Sequence, residues 1–351
     1  MDVRYLTDWL LRNAGPVIRF RVATELSEEH RYSAFRDLLS SDIVRYWVKS
    51  FRPDCSRCGL HGAKSGTYEN AAGKLYDFGL RKGMPILDRK TLPFRRWLKQ
   101  EVAKPIEGYL PVFHRTLVAS FLAMLGYGDD EAVESWTFRR LDTLYPFAKR
   151  GDLSEMYVSK DKFISFPKAF KSSPLVNPDL YPNEELKLPW IHDMYAFLHS
   201  PPIMKDATSR EKVETVIKFI LTQKYQRLRV GYGVVRHRSR YYMMGWSVHL
   251  PSFFSGKIVS DQAGRLLLWL ELFSRSEEAR ASFWYRRAVE ELSKYATEKS
   301  LILFPREFLP EKKIGVWILG MRMGLEENRR KHEGLLCEST FRFLAIRNYL
   351  H

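Results

Sequence analysis

The stretch LAMLGYGDDEAVESWTFRRLDTL, residues 122–144, is matched without a gap by LELFSRSEEARASFWYRRAVEEL, residues 270–292. The paired positions include Asp130 with Glu278, Trp136 with Trp284, Arg139 with Arg287 and Leu144 with Leu292. Each copy is typical of a helix end, an acidic turn that caps the next helix, and then an amphipathic helix. Repeated helix pairs predict an all-α fold, either a solenoid or a closed ring of helices.

Helical periodicity continues on both sides of these copies. Apolar residues recur every three or four positions in PVIRFRVATELSEEH (16–30), YENAAGKLYDFGL (68–80) and SREKVETVIKFILTQKYQRL (209–228). The exception is RVGYGVVRHRSRYYMMGWSV (229–248), which predicts a short hairpin insertion or an extended loop.

A proline-rich segment interrupts the helices at residues 164–190. Such a segment either links two domains or crosses over between helix pairs. Because the helix-pair pattern resumes unchanged after it, we expect a crossover within a single domain of residues 1–351.

The charge balance points to anionic partners. The chain carries 57 Lys and Arg against 41 Asp and Glu, a formal net charge of +16, and 14% of its residues are aromatic. A positive surface attracts nucleic acid, an anionic membrane face or a phosphorylated small molecule, although a generally basic protein has the same balance. The aromatic content favours wide packed interfaces or an aromatic-lined cavity.

Cysteine use and hydropathy favour the cytoplasm. Three cysteines do not form a disulfide framework, which fits a reducing compartment. Charged residues interrupt every apolar run near the N-terminus, so we expect no signal peptide, and no uninterrupted apolar run predicts a transmembrane segment.

Cys55, Cys58 and His61 form the sharpest local motif, Cys-x-x-Cys-x-x-His. Two thiolates and an imidazole can bind zinc if another side chain, such as Cys337, His332 or Asp54, supplies the fourth ligand. The pair can also be redox-active, or the two reduced cysteines can simply lie in a loop at the rim of the helices.

Polar side chains open several apolar helices. Glu69 and Asn70 begin one of them, and they either bind ligand in a cavity or only cap the helix. His114, His192 and Asp193 hold similar positions. If their helices line one cavity, the three side chains would gather at its mouth as an acid–base group, whereas the alternative is again capping.

The segment 229–248 also carries a basic and aromatic cluster: Arg236, Arg238, Arg240, Tyr241, Tyr242 and Trp246. Arginines bind phosphate groups through paired hydrogen bonds, and aromatic rings stack on bases or line an isoprenoid pocket. A solvated hairpin has the same composition, so the sequence leaves both interpretations open.

Four segments carry a family resemblance: WLLRNAGPVIRFRVATEL (9–26), ENAAGKLYDFGLRKG (69–83), TLVASFLAMLGYGDDEAVESW (116–136) and ESTFRFLAIRNYL (338–350). In this order they resemble uncharacterised bacterial proteins with prenyltransferase and squalene-oxidase-type repeats. The resemblance implies an α/α toroid of the terpenoid cyclase type, a ring of inner and outer helices around a central cavity.

That resemblance implies a protein that binds or transforms an isoprenoid-like ligand with an anionic head. The chain lacks the Asp-x-Asp-Asp and Asp-Asp-x-x-Asp motifs of terpenoid enzymes and the Gln-x-x-x-Gly-x-Trp repeat of squalene cyclases. Enzymatic activity is therefore left open, and the alternative is a non-enzymatic basic module that binds nucleic acid or another polyanion.

Overall fold

The computed structural model describes residues 2–26, 31–162 and 166–347. In these ranges the predicted helical character is confirmed by seventeen α-helices. They are α1 (Val3–Asn13), α2 (Pro16–Glu25), α3 (Arg31–Ser40), α4 (Asp42–Ser50), α5 (Arg57–Leu60), α6 (Tyr68–Asp77), α7 (Pro85–Val102), α8 (Tyr109–Leu122), α9 (Glu131–Arg150), α10 (Ile191–Leu198), α11 (Pro201–Lys205), α12 (Ala207–Ile220), α13 (Gln223–Gln226), α14 (Ser260–Phe273), α15 (Glu277–Ala281), α16 (Phe283–Ser293) and α17 (His332–Arg347).

The chain divides into two compact units. Unit 1 comprises Met1–Pro93 and Pro251–His351, and unit 2 comprises Phe94–Leu250. This division does not test whether residues 1–351 form a single domain, which stays a prediction.

Unit 1 is organised around α6, in which every residue is buried. Buried charges require partners. Asp77 of α6 accepts a hydrogen bond from Arg342 of α17 at 3.0 Å, while Lys74 donates to backbone carbonyls. Arg21 of α2 pairs with Glu271 of α14 at 3.1 Å, and Glu271 lies 3.6 Å from Arg342. These four residues, Arg21, Asp77, Glu271 and Arg342, form a buried ion network that joins α2, α6, α14 and α17.

Unit 2 packs α9 and α10 against α8, and α12 against α9. Arg140 of α9 makes two hydrogen bonds, of 2.9 and 3.0 Å, to the carboxylate of Asp193 on α10, and both side chains are buried. Trp136 of α9 donates to Thr116 of α8 at 3.1 Å. The core of unit 2 therefore combines apolar packing with the buried Arg140–Asp193 ion pair.

A small sheet completes unit 2. Its strands are β1 (Tyr157–Val158), β2 (Leu175–Val176), β3 (Val234–His237) and β4 (Arg240–Met243), in that order across the sheet. β2 and β3 are parallel, and the other two pairs are antiparallel. The β3–β4 pair is the hairpin that the sequence left as one of two alternatives.

The proline-rich segment lies within unit 2, in the connection between α9 and α10. Residues 164 and 165 lie outside the described residues. The rest of the segment contains β2 and three short 3₁₀ turns, Lys168–Phe170, Pro178–Leu180 and Pro182–Glu184.

The two sequence copies form similar but unequal helix pairs. The first leaves α8 through a wide turn, Ala123–Tyr127, and continues into α9; the second continues from α14 into two shorter helices, α15 and α16. Trp136 and Trp284 are both buried, as their matched positions suggest.

The expected acidic caps are wrong in detail. Asp130 precedes α9, but its side chain makes no cap bond and instead pairs with Arg95 at 2.6 Å. In the second copy the hydroxyls of Ser276 and Ser282 accept from the backbone at the starts of α15 and α16. A short hydroxyl side chain reaches these amides, whereas the nearby guanidinium offers Asp130 a charged partner.

Among the described residues, one stretch, Tyr109–Tyr127, is long and apolar enough to cross a membrane, and most of it is buried inside the fold. Core helices of globular proteins meet the same criterion, so this stretch is weak support for a span. The absence of a transmembrane segment stays a prediction.

Gly73 in α6 tests the packing of unit 1. A Cβ atom at this position would lie 2.4 Å from the ring of Trp317. We expect Gly73→Ala to lower the free energy of unfolding by about 1–3 kcal/mol, because overpacking outweighs a helix-propensity gain of about 1 kcal/mol. Urea denaturation measures the change. Gly66→Ala is the control, since its Cβ would meet nothing closer than 3.6 Å; equal stability of the two variants would contradict the packing.

The buried carboxyl of Glu326 should make the stability of the protein depend on pH. Burial, with a contribution from Glu338, raises the pKa of Glu326 to about 7, and its carboxylate accepts from the Gly15 amide at 2.7 Å. The unfolded chain loses this proton near the usual pKa of 4.5, before the folded chain does. The free energy of unfolding should therefore fall between these two pH values, by at most about 1.4 kcal/mol per pH unit.

Glu326→Gln keeps an oxygen acceptor for Gly15 and removes the titration. Urea denaturation from about pH 5 to about pH 8 should show a flatter stability profile for this variant than for the unaltered protein. Glu333→Gln, at an exposed position of α17, is the matched control and should leave the profile unchanged. Superimposable profiles for all three proteins would show that Glu326 does not titrate as described.

Candidate functional site

The β3–β4 hairpin and the start of α8 line a cleft of about 460 Å³ in unit 2. Its lining residues are 107–111, 237–240 and Tyr242, and the space between them is called the hairpin cleft below. The hairpin contributes His237, Arg238 and Arg240, against one acidic lining residue, Glu107. The lining is therefore predominantly basic.

Strand pleating decides which predicted residues reach the cleft. Successive side chains of a strand point to opposite faces, so Arg240 and Tyr242 share one face and Tyr241 lies on the other. Tyr241 packs against Phe166, with ring centroids 5.1 Å apart. Three of the six predicted residues, Arg238, Arg240 and Tyr242, line the cleft.

The remaining members of that cluster support the hairpin. Arg236 donates from Nε to the carbonyl of Arg238 at 2.8 Å, and Arg238 itself has a left-handed φ of 54° at the turn. The Arg236 amide donates to the hydroxyl of Tyr181 at 3.2 Å. Trp246 packs against His192, at 5.5 Å between ring centroids. The hydrogen bond from Arg236 therefore fixes the turn that carries Arg238.

The start of α8 forms the opposite wall. Gly108 precedes the helix with a φ of 109° and no side-chain cap, and a Cβ there would lie 3.4 Å from Nε2 of His237. An uncapped helix start presents partial positive charge to the cleft. Tyr109 donates its hydroxyl to the Met244 carbonyl at 2.9 Å, and its ring stacks on Tyr242. Basic side chains and a pair of tyrosine rings therefore meet in one place.

The predicted acid–base residues lie elsewhere in unit 2. His192 is fully buried among three rings, those of Phe113, Phe121 and Trp246, with centroids 5.5–6.3 Å away. His114 is half-buried beside Phe113, at 5.8 Å between centroids. Both histidines therefore adjoin the Phe113 ring, and their acid–base role stays a prediction.

Asp193 has a clear structural role. Its two oxygens accept both hydrogen bonds from Arg140, and Oδ2 also accepts from the Trp190 amide at 2.8 Å. The carboxylate thus caps the first turn of α10 and holds that helix to α9. A proton-transfer role for Asp193 stays a prediction.

The cysteine motif lies around α5 in unit 1. Cys55 is half-buried and Cys58 is exposed, and both are free thiols. Burial, with a contribution from Asp54, raises the pKa of Cys55 to about 11, which disfavours the thiolate form that zinc binding and redox exchange require. His61 lies 2.7 Å from the carboxylate of Glu69. Within the described ranges no three His, Cys, Asp or Glu side chains form a metal-binding group. Zinc and redox roles stay predictions.

Glu69 and Asn70 are fully buried. Glu69 accepts from the Gly62 amide at 2.6 Å. Asn70 donates to the carbonyls of Gly62 and Lys64, and it accepts from the Trp317 amide at 2.7 Å. Both side chains thus bind backbone groups within unit 1, and their ligand-binding role stays a prediction.

One charged pocket was not predicted from the sequence. It has a volume of about 260 Å³ in unit 1, and arginines from three separate segments, Arg21, Arg81 and Arg275, line it. A signal existed, since Arg21 and Arg342 interrupt otherwise apolar helical stretches. Glu25, one partner of Arg21, lies only four residues away, but Glu271, which pairs with Arg21, and Asp77, which pairs with Arg342, lie far away in the sequence.

Comparison of the chain with protein-family models, with curated proteins and with solved structures found no match. The resemblance to prenyltransferase-type repeat proteins stays a hypothesis. The function is therefore interpreted from the chemistry of the sites themselves.

Asp193→Ala tests the structural role of the buried pair. The variant leaves the Arg140 charge buried without its partner, so we expect the free energy of unfolding to fall by about 3–5 kcal/mol. Urea denaturation measures it. Asp142→Ala is the control on the same helix as Arg140, because the exposed Asp142–Lys212 pair should contribute no more than about 1 kcal/mol. If Asp193→Ala were as stable as this control, the structural role of the Asp193 carboxylate would be contradicted.

Proposed function

We propose that unit 2 binds an anionic ligand in the hairpin cleft. The observation that carries this proposal is the joint lining of one cleft by Arg238, Arg240 and Tyr242 at the uncapped start of α8. Guanidinium groups and helix amides favour phosphate oxygens. The rings of Tyr109 and Tyr242 provide apolar surface for the rest of the ligand.

The ligand class in this proposal is a phosphorylated small molecule with an apolar body, such as an isoprenoid diphosphate. The head group binds Arg238 and Arg240, and the body lies against the tyrosine pair. This proposal concerns ligand binding and not catalysis. We also propose that the helix pairs are arranged as an α/α toroid. Support for the toroid comes from the repeated helix pair and the burial of Trp136 and Trp284 at matched positions.

A second candidate is a non-enzymatic module that binds nucleic acid or another polyanion. The side chains of Arg236, Arg238 and Arg240 are all exposed, and the chain carries a net charge of +16. Binding to a phosphate backbone releases counterions, so its affinity should fall steeply between about 50 and about 200 mM salt. Binding in the cleft should depend less on salt, because part of its free energy comes from apolar contact.

Arg238→Ala tests the cleft. Charge-assisted hydrogen bonds contribute roughly 1.5–3 kcal/mol each, so the affinity for geranyl diphosphate should fall about ten- to a hundredfold. Titration calorimetry at both salt concentrations measures it, with a short single-stranded oligonucleotide as the comparison ligand. Arg210→Ala, an exposed arginine on α12, is the matched charge control.

Three results are distinguishable in this experiment. Loss of geranyl diphosphate binding in Arg238→Ala but not in Arg210→Ala supports the cleft. Tight, steeply salt-dependent binding of the oligonucleotide supports the polyanion module. The third result comes from a triple variant in which Arg236, Arg238 and Arg240 are all replaced by alanine. If this variant is as stable as the unaltered protein and binds both ligands with unaltered affinity, both candidates are contradicted.

A further inference from the structure

We propose that the charged pocket of unit 1 is a second binding site, for a small organic anion with a carboxylate or phosphate head and a short apolar body. This pocket is lined by α2, the segment after α6, α14 and α17, and it lies wholly within unit 1. The inference does not depend on the function proposed for unit 2.

The first step of the argument is the state of Arg21. Its Nε and Nη2 atoms each donate to Glu25 at 2.8 Å, and Nη2 also donates to Glu271 at 3.1 Å. Burial alone would lower the pKa of Arg21, but Glu25 and Glu271 raise it well above its usual value. Both acidic side chains of the pocket are therefore engaged by Arg21.

Arg81 is held in a different way. Its Nη1 atom donates to the carbonyls of Tyr76 and Leu80, both at 2.9 Å, and the guanidinium lies 4.2 Å from the centre of the Tyr76 ring. Among the ion pairs of the described residues, none includes Arg81. Neutral carbonyls and an aromatic ring orient the group but leave its charge without a carboxylate partner.

The electrostatic environment of Arg81 favours an added anion. Burial lowers the pKa of Arg81 below its usual value. Tyr76 and Glu25 act in the opposite direction, while the smaller contributions of Arg21 and Arg275 add to the lowering. Among the described residues, the pocket lining includes three arginines and two glutamates. A guanidinium fork that is already oriented loses little entropy when it binds a carboxylate or phosphate.

The apolar residues of the pocket lining indicate what kind of group the ligand carries beside its anionic head. Phe20, Leu26, Met84 and Phe341 line the same pocket, and Ala345 leaves space between the helices. A volume of about 260 Å³ accommodates a small molecule rather than a polymer. Arginine beside apolar and aromatic surface therefore matches an anion that carries an aromatic or short aliphatic group.

Phenyl phosphate is the probe, with inorganic phosphate and benzyl alcohol as the head-only and body-only comparisons. The titrations use the full chain in an Arg238→Ala, Arg240→Ala background, which removes the hairpin cleft as a competing anion site. We expect saturable binding of phenyl phosphate that exceeds the binding of either comparison compound.

Arg81→Gln and Arg275→Gln should each weaken phenyl phosphate binding at least tenfold, whereas Arg286→Gln should not change it. Arg286 is an exposed arginine of unit 1 and lies outside the pocket lining, so it matches the loss of charge. Ala345→Leu should also weaken binding, because it fills the cavity and retains every charge. If Arg81→Gln fails to fold, Arg275→Gln and Ala345→Leu decide the question.

Two outcomes would overturn the site. One is the absence of saturable phenyl phosphate binding at about millimolar concentrations. The other is binding that Arg275→Gln and Ala345→Leu both leave at the affinity of the Arg286→Gln control.

Discussion

The buried carboxylate of Asp77 is the constraint on which unit 1 depends. Burial alone would raise its pKa, but Arg342, Lys74 and Arg21 hold that pKa below its usual value, so the group is charged inside the fold. Asp77 also accepts from the Trp317 indole at 3.1 Å. An unpaired charge at this depth would cost several kcal/mol, so α6 is stable only when the neighbouring helices bring their partners to it.

The same network explains the position of the charged pocket. Arg21 and Glu271 belong both to the buried ion network and to the pocket lining. The guanidinium of Arg21 and the carboxylate of Glu271 already bind each other, so these two side chains form a fixed part of the pocket lining. Arg81 lies in the same lining and is oriented by carbonyls and the Tyr76 ring, without an ion pair to a described carboxylate.

In unit 2, too, the residues that stabilise the fold differ from those to which binding is proposed. The Arg140–Asp193 pair and the burial of His192 stabilise the helices, and the Tyr109 hydroxyl ties the start of α8 to the chain just after the hairpin. The binding that we propose involves exposed arginines at the hairpin turn, which the Arg236–Arg238 hydrogen bond holds in place. The two proposed sites should therefore respond differently to salt, because the exposed arginines of the hairpin are screened more strongly than the half-buried Arg81 and Arg275.

The sequence alone determined the helical character and the repeated helix pair, which follow from the spacing of apolar residues and turn residues. It left the hairpin as one of two alternatives. Strand alternation also separates Tyr241 from Arg240 and Tyr242 without further information. The partners of the buried charges could not be predicted in this way. Asp193 is 53 residues from Arg140, and Glu271 is 250 residues from Arg21, so no periodicity links them. Only the tertiary structure decided which charges meet and which hairpin face lines a cleft, because burial makes an unpaired charge costly while leaving the choice of partner to the packing of distant segments.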